Sequence, residues 1–371
     1  MDETVKKKIL SRLESCLDFR FNPDQIIETL EDSEVLSGFE VEGYLGSDRE
    51  SSFFHLAASE KDYIAKIGID FDDGSIICNK VPIFAALRGK KVSYLNNILK
   101  SGVYSGSLNA ENSFDYCVVI FEKPDSDLSK KDLFFGQDID SKARNSIQLF
   151  RLIGKVIKSF AEMNFLGKVL HGDIRPENIM VKFKDENDEF ESKFDPVIIN
   201  SDFMLDYNSK KRDLNLQRYL EDYRPPEMAK KVQAPAPGKE LTSKQKKEIL
   251  KEESKTHEYS SELTEDVYAL GKTIQKVLEN QATFIDEGEC SAKKLNVLAA
   301  SMVVEKEKPG TKGGLFSSPK PVKVRKNMME ILEDYILLYM NCNKHRDMQS
   351  DPFYNSLLAT VNAKPKNLLL V

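Results

Sequence analysis

The chain has 371 residues, of which 40% are hydrophobic and 31% charged, so it can bury a large core and is not disordered throughout. Its formal net charge of −6 argues against a general nucleic-acid-binding protein, because such proteins usually need a basic excess to displace phosphate counterions. The sequence predicts neither a signal peptide nor a transmembrane helix, because no stretch approaches the roughly 18 apolar residues of a membrane span.

The five cysteines are scattered, with no close pair and no spacing typical of a zinc site. We therefore expect reduced thiols and a cytosolic working environment. The cysteines are Cys16, Cys78, Cys117, Cys290 and Cys342.

Residues 1–38 are predicted to form an N-terminal helical extension. Apolar residues follow one another at three-to-four-residue spacing over 4–19, as in an amphipathic helix. Asn22-Pro23 has the form of a cap followed by a first helical proline, which predicts a second short helix to about Glu31.

Residues 39–123 are predicted to form a small β-rich domain. Short β-favouring runs occur at 39–42, 52–56, 63–67 and 116–121, and turn residues separate them. One helix, from about Pro82 to Lys100, is expected to interrupt the strands.

Residues 124–371 are predicted to form a larger, helical domain. Segment 143–169 is apolar at helical spacing, and two β-like runs, 179–182 and 197–199, flank an acidic hairpin tip at 183–195. Proline, glycine and charged residues mark two further inserts, at 229–259 and at 305–324. The predicted fold class is α+β.

The strongest chemical signal is the run Leu170–Met180, between the long helix and a strand. Phosphoryl transfer needs a carboxylate to orient and deprotonate the attacking hydroxyl, and an amide oxygen to help hold magnesium. Asp173 and Asn178 supply these groups, and their spacing and the preceding His171 make the run resemble the catalytic loop of the protein-kinase superfamily. The resemblance implies a two-lobed fold with a small β-rich N-lobe and a larger helical C-lobe.

Three later motifs resemble the same family in the same order. Asp202-Phe203-Met204 is similar to the magnesium-binding motif, which implies that Asp202 holds the metal. Residues 223–227 resemble the motif that closes the activation segment, and we expect Glu227 to pair with Arg346. Residues 264–271 resemble the start of the central helix, which implies that Asp266 accepts hydrogen bonds from the catalytic-loop backbone.

In the small domain, the resemblance places Lys66 on the third strand, where its ammonium group would contact the α- and β-phosphates of ATP. Segment 45–53 aligns with the phosphate-covering loop but keeps only the first glycine, Gly46, and has Asp48 where another glycine is usual. The predicted helix 82–100 has no acidic residue to pair with Lys66, and Gly172 replaces an arginine that often binds a phosphorylated activation loop.

These motifs favour an atypical protein kinase that uses ATP with Mg²⁺ or Mn²⁺ and phosphorylates Ser or Thr hydroxyls of a protein in preference to Tyr. Two alternatives stay open. Small-molecule phosphotransferases of the aminoglycoside and choline type share the His-Gly-Asp loop, and a pseudokinase would keep the fold as a binding module.

The Lys-, Asn-, Ser- and Ile-rich composition is similar to that of kinase-like effectors that intracellular bacteria deliver into host cells. This resemblance implies a cytoplasmic location, in the host cell if the protein is secreted.

The predicted helix 82–100 offers no acid to Lys66, and Gly172 cannot bind a phosphorylated activation loop as an arginine would. We therefore expect an activator that stabilises the working conformation. The clusters of basic residues suggest that this activator is a polyanion. An inositol polyphosphate or a phosphoinositide headgroup, the latter with peripheral membrane contact, would fit. Solvated lysines that keep the inserts soluble are the alternative. The candidate residues are Lys210, Lys211, Arg212, Lys244, Lys246, Lys247, Lys320, Lys323, Arg325 and Lys326.

Overall fold

In a computed structural model, the chain is an α+β protein that divides into two units. The first unit comprises residues 1–89 and 95–124, and the second comprises 90–94 and 125–371. The structure describes residues 34–47, 51–70, 76–109, 112–131, 133–134, 136–184, 193–199, 204–206, 221–226, 264–286, 292–304, 306–308, 322–345 and 347–363. The predicted N-terminal helices and the insert 229–259 lie outside these residues.

The first unit is built on a five-stranded antiparallel sheet in the order β1-β2-β3-β5-β4. The strands are β1 (Glu40–Ser47), β2 (Ser51–Ala58), β3 (Lys61–Asp70), β4 (Ile98–Asn109) and β5 (Asn112–Glu122). Alternate residues of β5 serve opposite faces, as the period of a strand requires. Val118 and Ile120 join one apolar cluster, whereas Val119 and Phe121 join another.

The prediction of a helix over 82–100 was wrong at both ends. Helix α1 spans Ile76–Gly89, with Pro82 in its interior, and β4 begins at Ile98. Helical geometry stops after Gly89 because Lys91 and Tyr94 adopt left-handed backbone angles, with φ of 59° and 60°. The β4 strand was missed because its sequence contains three serines and two glycines, which are not typical of a strand interior.

The second unit contains long helix α2 (Ile139–Glu162), whose N-cap Asp138 accepts a hydrogen bond from the backbone of Ser141. A π-helical turn, Met163–Gly167, follows it and ends at Lys168 with φ of 59°. The predicted helix 143–169 is therefore confirmed, although its last turns are π-helical.

Four further helices and several short strands complete the described part of the second unit. The helices are α3 (Glu265–Gln281), α4 (Ala292–Val303), α5 (Met328–Cys342) and α6 (Pro352–Asn362). The strands are β6 (Ser126–Asp127), β7 (Val169–Leu170), β8 (Ile179–Phe183), β9 (Phe194–Ile198), β10 (Leu205–Asp206), β11 (Lys306–Lys308) and β12 (Val322–Val324).

The predicted pairing of the two β-like runs is confirmed, because β8 and β9 form an antiparallel hairpin. The segment 305–324 was expected to be a flexible loop, but β11 and β12 pair near its two ends. No helix in the described ranges is both long and apolar enough to cross a membrane.

The expectation of reduced cysteines was wrong for Cys117, which is disulfide-bonded. Cys342 is a free thiol. Spacing along the chain could not reveal the bond, because pairing depends on which cysteines the fold brings together.

Candidate active site

The candidate site is built on residues 171–178, here called the HGD loop, in the second unit. The loop connects β7 with β8, and β7 is held by antiparallel pairing with β10. Its last three residues, Pro176–Asn178, form a turn of 3-10 helix with Pro176 at the first position, where a missing N–H costs nothing. The loop is therefore fixed at both ends by short strands.

Asp173 and Asn178 are joined directly by hydrogen bonds. The amide Nδ2 of Asn178 donates to the backbone oxygen of Asp173 at 2.8 Å and to its carboxylate Oδ2 at 2.6 Å. Both side chains are buried. Because the amide nitrogen is used in these bonds, the amide oxygen is the atom of Asn178 that can face a cation.

Asp266, the second residue of α3, is fully buried and stabilises the start of the loop. Its Oδ2 accepts from the backbone N–H of His171 at 2.8 Å, and its Oδ1 accepts from that of Gly172 at 3.1 Å. Asn164, on the π-helical turn, also donates to Oδ2, at 3.1 Å. The two backbone bonds are those that the sequence led us to expect of Asp266.

His171 is fully buried and has a defined tautomer. The backbone N–H of Asp173 lies 3.3 Å from its Nδ1, which must therefore accept, so Nε2 carries the hydrogen and donates to the backbone oxygen of Ile199 at 2.9 Å. The ring of Phe160 meets the imidazole edge-on. His171 thus links the HGD loop to the segment that follows β9.

Gly172 has a left-handed backbone, with φ of 80°. A side chain at this position would be strained, so the glycine fits the loop conformation that Asp266 holds. This left-handed backbone therefore favours glycine over arginine at position 172.

Arg175, which was not among the residues predicted from the sequence, lies beside the candidate catalytic carboxylate. Its Nε is 3.5 Å from Asp173 Oδ2, an ion pair on the rim of the loop. Its position two residues after Asp173 was the available signal. Thr273, also missed, has a hydroxyl that lies 2.9 Å from the backbone oxygen of Ala269 in its own helix and 3.3 Å from that of Ile174, so it contacts the loop.

Tyr223 belongs to a turn of 3-10 helix, Glu221–Tyr223, that packs on α3. Burial raises the pKa of this tyrosine to about 12, and the nearby carboxylates of Glu177 and Asp222 act in the same direction. The phenol therefore stays neutral at physiological pH.

Lys66 and Gly46, the predicted nucleotide contacts of the small domain, lie in the first unit. Lys66 is on β3, where its register partners are Phe53 of β2 and Val119 of β5. Its side chain is only 5% exposed, and its ammonium lies 5.5 Å from the centre of the Phe53 ring. Gly46 follows a bulge in β1 and has φ of 131°, which favours glycine.

Several predicted residues lie outside the described part of the chain. This applies to the metal ligand Asp202, to both partners of the expected ion pair Glu227–Arg346, and to the basic residues Lys210, Lys211, Arg212, Lys244, Lys246, Lys247 and Lys320. Their roles stay predictions.

The surface role expected of Arg325 was wrong. Its side chain is only 2% exposed, and its guanidinium lies 5.0 Å from the centre of the Tyr268 ring. Lys326 pairs with Asp334 of α5, and Lys323 is part of β12. A long cationic side chain can be buried against an aromatic ring, so charge in the sequence did not imply exposure.

Oxygen donors from carboxylate and amide groups suit Mg²⁺, which usually takes one or two protein ligands together with phosphate and water. Asn178 offers such an oxygen, and the predicted second donor is Asp202. Among the described residues there is no group of three or more His, Cys, Asp or Glu side chains that would hold a metal by itself.

The chain was compared with known protein families and with curated proteins. No family model matches it, and no curated protein matches it significantly.

Proposed function

We propose that this chain is an ATP-dependent protein kinase that transfers the γ-phosphoryl group to Ser or Thr hydroxyls of a protein, and less readily to Tyr. The observation that carries the proposal is the HGD loop, in which Asp173 and Asn178 are hydrogen-bonded to each other and Asp266 holds the backbone before them. This arrangement places a carboxylate and an amide oxygen side by side on a fixed loop.

In the proposed reaction, Asp173 accepts a hydrogen bond from the substrate hydroxyl and so orients its oxygen toward the γ-phosphorus. As the new P–O bond forms and the bond to the ADP oxygen breaks, the hydroxyl proton passes to the Asp173 carboxylate. Arg175, whose Nε lies 3.5 Å from Oδ2 of that carboxylate, is placed to orient it. Magnesium or manganese, held by Asn178 and Asp202, would neutralise charge on the phosphates when bound.

Two residues of the first unit are proposed to bind the nucleotide. Lys66 would contact the α- and β-phosphates, and Gly46 would let the backbone approach them. Helix α1 has no acidic residue between Ile76 and Gly89, so an acid from elsewhere must balance Lys66 if an ion pair is needed.

The test is transfer of labelled phosphate from γ-labelled ATP, with magnesium or manganese, to a mixture of host-cell proteins and to the chain itself. Asp173→Ala should lower the rate at least about a hundredfold, because a positioned general base contributes that much. Asp202→Ala should remove nucleotide binding as well as transfer. Asp140→Asn, which changes an exposed carboxylate in the first turn of α2, is the matched control.

Nucleotide binding without transfer, under every metal and activator tried, would favour the pseudokinase alternative. Transfer that persists in Asp173→Ala would contradict the roles assigned here.

A small-molecule phosphotransferase is the second candidate, because the order His171-Gly172-Asp173 is shared with such enzymes. The same assay with aminoglycosides and choline in place of protein distinguishes the two. Transfer to a small molecule and to no protein would replace the first proposal.

We also propose that the protein works in a cytoplasm, as a host-directed effector, and that a polyanion activates it. The composition of the chain supports the first part of this proposal, and its clusters of basic residues support the second. Arg325 no longer counts among those clusters, because its side chain is buried. Activity and melting temperature should rise with an inositol polyphosphate or with vesicles that contain phosphoinositide, and changing Lys210, Lys211 and Arg212 to Ala should reduce both effects. Equal values with and without either ligand would contradict activation.

A further inference from the structure

Phe53 lies between the two residues of the first unit that are proposed to bind the nucleotide. The ladders of the sheet pair Phe53 of β2 with Gly46 of β1 on one side and with Lys66 of β3 on the other. Val119 of β5 is the next residue in the same row across the sheet. Directly opposed residues of neighbouring strands point to the same face of a sheet, so the ring of Phe53 stands beside the side chain of Lys66.

The ring of Phe53 and the ammonium group of Lys66 are close enough to attract each other. Lys66 Nζ lies 5.5 Å from the centroid of the ring, within the roughly 6 Å over which a cation–π attraction acts. Lys66 is only 5% exposed, and Val119 on its other side is buried as well. Because a buried ammonium loses hydration, its attraction to an aromatic face is stronger here than at the surface. Lys66 has at least one further interaction, so the ring is one of at least two groups that can stabilise it.

The opposite face of β2 and β3 has a different kind of packing. Phe54, the next residue after Phe53, is fully buried in an apolar cluster that also contains Leu56 and Ala65. Phe53 points away from this cluster and is half-buried. The cluster therefore accounts for the aromatic residue at position 54, whereas the ring at position 53 lies over a cation.

We propose that Phe53 is a positioning residue that holds the ammonium group of Lys66 in place for the phosphates of the nucleotide. This inference rests on the proposed function, in which Lys66 contacts the α- and β-phosphates. The ring restricts the long lysine side chain before the nucleotide arrives, so less side-chain entropy is lost when the phosphates bind. Phe53 acts through Lys66 and not by contact with the base.

The contact is tested first without nucleotide, by NMR of the full chain labelled with ¹³C at the ε carbon of lysine. The Lys66 signal is assigned by its loss in Lys66→Met. We expect the ring current of Phe53 to shift the ε protons of Lys66 upfield. This shift should disappear in Phe53→Leu and persist in Phe53→Tyr, which keeps the ring. A Lys66 signal that does not change in Phe53→Leu would overturn the proposal.

The second measurement is the affinity for magnesium-ATP. Phe53→Leu should raise the dissociation constant about tenfold, as expected for the loss of one desolvated cation–π contact, and Phe53→Tyr should stay within about threefold of the unchanged protein. In the transfer assay the change should fall mainly on the KM for ATP and much less on kcat, because the lysine binds the phosphates in the ground state as well as in the transition state. An unchanged dissociation constant and KM in Phe53→Leu would overturn the proposal.

A double variant shows whether the ring acts through the lysine. In a Lys66→Met background, Phe53→Leu should weaken ATP binding by less than about twofold, because the ammonium group is already gone. An equal loss in both backgrounds would place the ring directly against the nucleotide and would contradict a positioning role.

Phe54→Leu is the matched control, because it makes the same change at the neighbouring position on the opposite face. It should keep the dissociation constant for ATP within about threefold, and melting temperatures verify that every variant is folded. A loss of affinity as large as that in Phe53→Leu would show general loosening of the sheet and would overturn the proposal.

The two measurements separate this proposal from the proposed function. If ATP binds but the Lys66 signal does not respond to Phe53→Leu, the positioning role fails and the proposed function stands. If the Lys66 signal responds but the unchanged protein binds no ATP, the proposed function fails, and the positioning role fails with it although the contact exists.

Discussion

The buried carboxylate of Asp266 accepts hydrogen bonds from His171, Gly172 and Asn164. In Asp266→Asn one acceptor oxygen becomes an NH₂ group that faces N–H donors. We expect the variant to lose about 2–4 kcal/mol of unfolding free energy, because buried donors would be left unsatisfied. Urea denaturation measures this loss.

The matched control for Asp266 is Asp334→Asn, which removes a partly exposed partner of Lys326. Exposed ion pairs contribute roughly 0–1 kcal/mol, so this change should be small. A loss of less than about 1 kcal/mol in Asp266→Asn would contradict the anchoring role.

The raised pKa of Tyr339 predicts that the unfolding free energy depends on pH in the alkaline range. Burial raises its pKa to about 12, Arg151 opposes that shift, and the bond to Asp351 raises the pKa further. Since the folded pKa lies above the unfolded value of about 10, the stabilisation is fully present below pH 10 and is lost as pH rises toward 12. In Tyr339→Phe the unfolding free energy should therefore fall less between pH 9 and pH 11.5.

Tyr354→Phe is the control, because it removes the hydroxyl of a tyrosine whose bond to Met340 is exposed. It shows how much of any change is due to the loss of a tyrosine hydroxyl in general, away from the partly buried contact of Tyr339 with Asp351. A parallel decline in Tyr339→Phe and the unchanged protein would show that Tyr339 is not responsible.

At the scale of elements, residues 90–94 form a strap that belongs to the second unit although the flanking residues belong to the first. The backbone N–H of Ser93 donates to Glu162 Oε2 at 2.7 Å, and its backbone oxygen accepts from the hydroxyl of Ser159 at 2.6 Å. The backbone oxygen of Tyr94 accepts from the N–H of Ile198 at 2.8 Å. These bonds hold the two left-handed residues of the strap, Lys91 and Tyr94, in place.

Glu162 connects the strap to α6. Its Oε1 pairs with Lys158 at 2.7 Å and accepts from the hydroxyl of Thr360 at 2.7 Å, and all three side chains are buried. Glu162→Ala should cost about 3–5 kcal/mol of unfolding free energy, because the Lys158 ammonium would be left buried without its counter-charge. Denaturation by urea gives the value.

The double variant Glu162→Leu, Lys158→Met removes both charges and should lose clearly less than Glu162→Ala. Glu279→Ala removes half of an exposed pair with Lys276 and should change stability by less than about 1 kcal/mol. If the double variant is as unstable as Glu162→Ala, stranded charge is not the cause.

At the scale of the whole molecule, the proposed function predicts that ATP with magnesium stabilises the chain. A ligand that binds only the folded state adds about 2.7 kcal/mol at 100 times its dissociation constant, which a thermal melt detects. Lys66→Met should reduce the shift, and Lys61→Met, on the same strand but exposed, should keep it. An absent shift at millimolar ATP would contradict nucleotide binding.

The sequence by itself determined the local features. Periodicity predicted α2 and the strands β1, β2, β3 and β5, and the β8–β9 hairpin followed from two apolar runs around an acidic tip. The spacing of Asp173 and Asn178 predicted side chains that the structure joins by hydrogen bonds. These features depend on residues near each other along the chain, where the repeat of a helix or strand leaves a direct pattern.

Only the tertiary structure decided the rest. The limits of α1 and β4, the strap at 90–94, the disulfide bond of Cys117 and the burial of Arg325 all differ from the sequence predictions or were absent from them. Each depends on contacts between segments far apart in sequence: Ser93 with Glu162, and Arg325 with Tyr268. Such contacts determine which charged groups are buried and where a helix must stop, and no local pattern encodes them.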